Sequence, residues 1–153
     1  TELRTEKPLN GWIISGSTDL IFDGQVCDFK SCGLFAYTSG SNDLKWKLQL
    51  SIYHWLNQDK ITNPSGKILM YLRDWSKLEA SFKSDYPPHP FPEKDFPLLS
   101  VPETEKYLRD KINVIEIHWD SPEPELPIIA ILSFIFFLFD NIQNLFLLKQ
   151  YQQ

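Results

Sequence analysis

Asp23-Gly24, set between two apolar-rich runs, constrains the fold of this chain more than any other feature. Asp-Gly in that setting marks a two-residue hairpin turn, because both central residues need a positive φ. The register follows from the turn: Phe22 faces Gln25, Ile21 faces Val26, Leu20 faces Cys27 and Asp19 faces Asp28. Directly opposed residues share a sheet face, with Cβ atoms roughly 4.5–5.5 Å apart, and like charges so placed repel unless a cation lies between them. Lys30, two residues beyond Asp28, alternates onto the same face. Two carboxylates and an ammonium on one face are the makings of a metal-dependent site. The competing reading is the solvated side of an ordinary sheet. A bulge at the turn would slip the pairing and send Asp19 to the other face.

A helix is predicted over Asp43 to Gln58, after a loop rich in Ser, Gly and Asn. Leu48, Ile52, Trp55 and Leu56 recur at helical spacing and form a core stripe. Gln49 and Tyr53, four apart, project side by side along the edge of that stripe. By themselves they are amphipathic rim residues.

Taken together, three patterns resemble the RecB-like branch of the PD-(D/E)xK nuclease superfamily, with its phage- and CRISPR-associated exonuclease relatives. They are Gly16-Ser17-Thr18-Asp19, Asp28-Phe29-Lys30 and Gln49-Leu50-Ser51-Ile52-Tyr53, in the family's order. The resemblance covers about Gly11 to Trp75. Further on, the segment from Tyr71 to Lys77 and the one at Tyr86-Pro87-Pro88 look similar to phage-associated members.

The resemblance implies an α/β fold with a PD-(D/E)xK, restriction-endonuclease-like core, a mixed β-sheet flanked by helices. It implies a metal-dependent deoxyribonuclease, a RecB-like exonuclease of phage or repair DNA processing, with DNA as partner. It implies Mg²⁺, with Mn²⁺ as a substitute, held by Asp19, Asp28 and the Phe29 backbone carbonyl. Hard oxygen ligands suit Mg²⁺, which keeps several waters and also binds substrate phosphate. Such an ion supplies an activated water and neutralises charge on the phosphate. Lys30 would orient the attacking water or stabilise the transition state. Gln49 would help to position the metal or phosphate, and Tyr53 would brace the site.

The chain departs from the family pattern at its N-terminus. Only ten residues precede the strand expected at Gly11, so the family's first helix is short or missing. Glu2 and Glu6 are the upstream candidates for its acidic ligand. Some relatives hold an iron–sulfur cluster on four cysteines. Cys27 and Cys32 stand alone here, so no cluster is expected, and two free thiols fit a reducing cytoplasm.

Charge sets a further condition. The net charge is −5, whereas proteins that hold DNA chiefly by phosphate neutralisation tend to be basic. The bound metal and a local patch of Lys30, Lys45, Lys47 and Arg73 would have to supply the attraction, or a protein partner would supply DNA affinity. With 42% hydrophobic residues and five Trp, the chain has material for one real core, placed at residues 1–125.

Beyond the helix, Asn63-Pro64-Ser65-Gly66 is a turn and Lys67 to Leu72 a strand with an apolar centre. Ser76 to Asp85 is a predicted helix, with a capping box from Ser76 to Glu79. Pro87 to Pro102 holds six of the eleven prolines and is expected to be extended and irregular, a surface connection. A helix follows over Glu103 to Asn113 and a short strand over Val114 to His118. His54, His89 and His118 share no metal-ligand spacing, and His54 reads as a satisfied rim histidine.

Residues 126–153 do not match the rest. Between Leu126 and Leu148 the only charged residue is Asp140. Ile128 to Phe139 is apolar except for Ser133, too short a run to span a bilayer. Three readings stand: a buried or partner-facing helix, a tail anchor, or an atypical, non-native end such as a frame-shifted AT-rich gene would produce. The shifted or atypical tail is preferred, and no membrane partner is expected. No signal peptide is visible. Two rival functions remain beside the nuclease. One is a catalytically silent DNA- or protein-binding module of the same fold, and the other is a tail-anchored interaction protein.

Overall fold

Two turns of one kind organise the N-terminal half. Asn10 and Gly11 have φ of 51° and 73°, and Asp23 and Gly24 have φ of 48° and 71°. Both are therefore hairpin turns with two consecutive positive φ values, the reason Asn-Gly and Asp-Gly are selected there. The first joins β1 (Leu3–Leu9) to β2 (Trp12–Thr18), and the second joins β3 (Leu20–Phe22) to β4 (Gln25–Cys32). The computed structural model describes residues 3–119 and 145–149 of the chain.

After β4 come α1 (Leu34–Ser39), α2 (Asp43–Leu56), β5 (Ser65–Leu72), α3 (Lys77–Phe82), β6 (Glu93–Pro97), α4 (Val101–Trp119) and β7 (Leu145–Lys149). The protein is α/β. β3, β4, β5 and β6 form a mixed four-stranded sheet in that order, with β4 and β5 parallel and the outer pairs antiparallel. β1, β2 and β7 form a second, antiparallel sheet. The β3–β4 register is the expected one: Leu20 opposes Cys27, Ile21 opposes Val26 and Phe22 opposes Gln25.

α2 is the hub, and it is buried more completely than one stripe predicts. Leu48, Ile52, Trp55 and Leu56 pack with Trp12, Ile14 and the α4 residues Leu108, Ile112 and Ile115. Trp46, Leu50 and Tyr53 pack instead with Val26, Ile68, Met70 and Phe96 of the four-stranded sheet. The helix thus carries two apolar faces, one for each cluster. Gly16 is what lets β2 approach it. A Cβ there would lie 2.9 Å from Leu56 Cδ1 and 3.3 Å from Tyr53 Cε1. Gly16→Ala is expected to cost about 1–3 kcal/mol by overpacking, read as a lower urea midpoint with unchanged slope.

Five expectations for the second half are corrected. Residues 114–118 are helical, because Ile115 continues the face of Leu108 and Ile112 onto α2. α4 also starts earlier than Glu103. Ser100 Oγ accepts from the Glu103 N–H at 3.4 Å and the Glu103 carboxylate accepts from the Ser100 N–H at 2.9 Å, a reciprocal capping box. The proline-rich segment is not irregular throughout, since β6 pairs with β5 and ends at Pro97 on a sheet edge, where a missing N–H is tolerated. The helix expected over 76–85 is the shorter α3. Ser76 caps it, but Glu79 turns to Lys83 and the Ser76 N–H donates to Tyr86 Oη instead. Within the C-terminal tail, residues 145–149 form strand β7 on β2, not a helix. The apolar run at 128–139 lies outside the described residues. Among the described residues, no helix is long and apolar enough to cross a membrane.

Candidate active site

The candidate site forms beside the start of β3, where β4 continues past Cys27 along an edge that β3 does not cover. Asp28, in the middle of β4, turns its side chain toward α2 and is fully buried. Its Oδ2 lies 2.5 Å from Lys30 Nζ, an ion pair of side chains on the same strand face. Its Oδ1 accepts from Gln49 Nε2 at 3.3 Å, and the same amide nitrogen lies 2.8 Å from Tyr53 Oη. Gln49 and Tyr53 are therefore not rim residues. Both are fully buried, in line behind the Asp28 carboxylate.

Asp19 arrives from the other side. It sits between β2 and β3, and its Oδ2 accepts from the Phe29 N–H at 3.0 Å. It is close enough to Asp28 to act on it both as a charge and as a hydrogen-bond partner. Phe29 contributes its backbone. In a strand the N–H and C=O of one residue turn to the same edge, so the carbonyl faces the edge where Asp19 stands. All five sequence-predicted side chains, Asp19, Asp28, Lys30, Gln49 and Tyr53, are thus linked through Asp28.

Burial dominates the electrostatics. Against the opposing pull of Lys30, and with the neighbouring Asp19 adding to the rise, it pushes the Asp28 carboxyl up to about 6. A carboxylate held at that cost is one that a second cation would stabilise.

Compared with family models, curated proteins and solved structures, the chain has no significant match.

The donor set suits a hard divalent cation. Two carboxylates and a strand-edge carbonyl are a minimal oxygen set, and Mg²⁺ is bound by one or two carboxylates while keeping waters. Among the described residues, no group of three or more His, Cys, Asp or Glu side chains is placed to hold a metal ion, so the set here is two carboxylates and a carbonyl. Glu6 adds no donor there: it accepts from Ser15 Oγ at 3.2 Å and pairs with Arg4. Glu2 lies outside the described residues.

The remaining candidates separate from the site. Lys30 is the cation acting on Asp28, whereas Lys47 acts on Glu103 at the start of α4 and Arg73 acts on Cys32 at the end of β4. Cys27 and Cys32 are free, buried thiols, and burial raises both. His54 is half-buried, and burial lowers its pKa. The close approach of Gly16 to Tyr53 has no signal in the sequence. It makes the first and third motifs touch, and only the packing of β2 on α2 reveals it.

Proposed function

We propose that this protein is a metal-dependent deoxyribonuclease with a PD-(D/E)xK core of the RecB-like type. One observation carries the reading: Asp19, Lys30 and the Gln49–Tyr53 pair converge on a single buried, destabilised carboxylate, Asp28. An ordinary sheet surface would leave such a carboxylate in water. Asp19, Asp28 and the Phe29 carbonyl would hold Mg²⁺ or Mn²⁺, which when bound supplies an activated water and charge neutralisation for a phosphodiester.

The chain's own residues supply the rest. Lys30 carries a positive charge beside the acids, and such a charge counts most where negative charge develops in the transition state. Gln49 holds Asp28 in one orientation from behind, and Tyr53 fixes Gln49 in turn. Gly16 keeps Tyr53 in place by allowing β2 to pack flat against it. With a net charge of −5, the bound metal with Lys30, or a protein partner, would supply the attraction for DNA.

Cleavage of single- and double-stranded DNA, linear and circular, with Mg²⁺ or Mn²⁺ and with EDTA, tests the reading. The expected result is divalent-dependent hydrolysis, with circular substrates separating exonuclease from endonuclease action. The rate should fall roughly tenfold per pH unit below about pH 6, where Asp28 takes up a proton and ceases to be a ligand. Hydrolysis that persists in EDTA, or a folded protein inert with every metal, defeats the proposal.

A further inference from the structure

The four-stranded sheet has a second face, turned away from α2, and it is aromatic. Side-chain alternation puts Phe29 and Tyr71 there, on the paired strands β4 and β5, while Asp28 and Lys30 take the other face. Phe29 is 57% exposed, Tyr71 49% and Phe91 62%. A parallel strand pair is normally covered on both faces, so three exposed rings on this one call for an occupant. Tyr71 and Phe91 are already stacked on each other, with centroids 5.5 Å apart and planes 27° apart. With Phe29 and Leu69 they line a cavity of about 590 Å³.

We infer that this cavity is a stacking subsite for an unpaired base of single-stranded DNA, beside the phosphate that the candidate site would cleave. The inference rests on the nuclease reading and names its substrate class. Three features favour a nucleobase over a protein segment. The exposed surface is made of ring faces, and every base has a π-face to lay on them. The cavity and the candidate site share Phe29, on the edge of the sheet: its ring forms a wall of the cavity while its N–H binds Asp19. The one carboxylate on the rim, Glu93, is paired with Lys67, which removes most of its repulsion toward a phosphate chain. A duplex cannot use the platform, since its bases are stacked on each other.

The test measures binding of the full chain to fluorescent oligonucleotides without divalent metal, so that cleavage plays no part. Tyr71→Ala and Phe91→Ala are expected to weaken single-strand binding by about 5- to 150-fold and to leave duplex binding unchanged. Tyr71→Phe should bind like the unsubstituted protein. A strand abasic at the stacked position should bind weakly and be insensitive to Tyr71→Ala. Equal single-strand affinity in the alanine variants, with melting curves unchanged, overturns the inference. So does a change in sedimentation in place of DNA binding, which would make the face a protein interface. Aromatic-dependent binding without any cleavage would defeat the nuclease reading alone; metal-dependent cleavage indifferent to Tyr71 and Phe91 would defeat the subsite alone.

Discussion

Asp28→Asn is expected to abolish divalent-dependent DNA cleavage and, at neutral pH, to leave the fold more stable than the unsubstituted protein. The two effects have one cause. Asp28 is fully buried, and burial raises its carboxyl from an ordinary 3.8 to about 6 despite the adjacent Lys30. A carboxyl whose folded-state pKa lies above its unfolded value contributes stability that is fully present below about pH 4. That contribution is lost as pH rises through about 6, because the folded state then has to ionise a group that the interior disfavours. At about 1.4 kcal/mol per pH unit, the gap amounts to roughly 3 kcal/mol against the fold at neutral pH. Asparagine imitates the protonated form in shape and in charge. The Gln49 amide can turn over to meet it, and Lys30 keeps the surroundings it has when Asp28 is neutral. Thermal melts should therefore show the variant ahead at neutral pH, with the gap closing toward pH 4. A group that weakens its own fold yet is tied to Lys30, Gln49 and Asp19 is what a functional site, rather than a stabilising ion pair, would contain. Undiminished cleavage by the variant would remove Asp28, and the whole constellation, from the chemistry.

How much of this arrangement can be read from the chain depends on how local its cause is. The β3–β4 register is legible because Asp23-Gly24 sets it over a few residues. The equivalent signal at Asn10-Gly11 is just as plain and specifies the β1–β2 hairpin, yet a reading of the first ten residues as a short or missing helix passes over it. The depth of Gln49 and Tyr53 is not legible from α2 alone. A single stripe of Leu48, Ile52, Trp55 and Leu56 leaves them at a rim, and only packing of Trp46 and Leu50 against β4, β5 and β6 closes the other side. Val114, Ile115 and Ile117 favour a strand by local propensity, but the i, i+4 and i+3 contacts of Leu108, Ile112 and Ile115 with α2 override it. The meeting of Gly16 with Tyr53, 37 residues apart in number, has no local signature at all.

Lys30→Ala separates two jobs that one ammonium can do. Lys30 Nζ lies 2.5 Å from Asp28 Oδ2 and pulls the Asp28 pKa downward against its burial. Without it the Asp28 carboxyl rises above 6, and a cation then has to displace a proton at neutral pH before it can bind. That effect alone predicts weaker Mn²⁺ binding near pH 7, measured by calorimetry, with recovery at alkaline pH. Transition-state stabilisation predicts something that alkali does not restore. Removing one preorganised charge from a reacting centre typically costs about 10²–10³ in rate. The expected outcome is therefore split: metal affinity returns as pH is raised, while cleavage stays about 10²–10³ below that of the unsubstituted protein. If cleavage recovered together with metal affinity, Lys30 would be a positioning residue that keeps Asp28 ionised and takes no direct part in the reaction. If neither quantity changed at any pH, the Lys30–Asp28 pair would be an ordinary ion pair and the candidate site would lose the cationic group assigned to it.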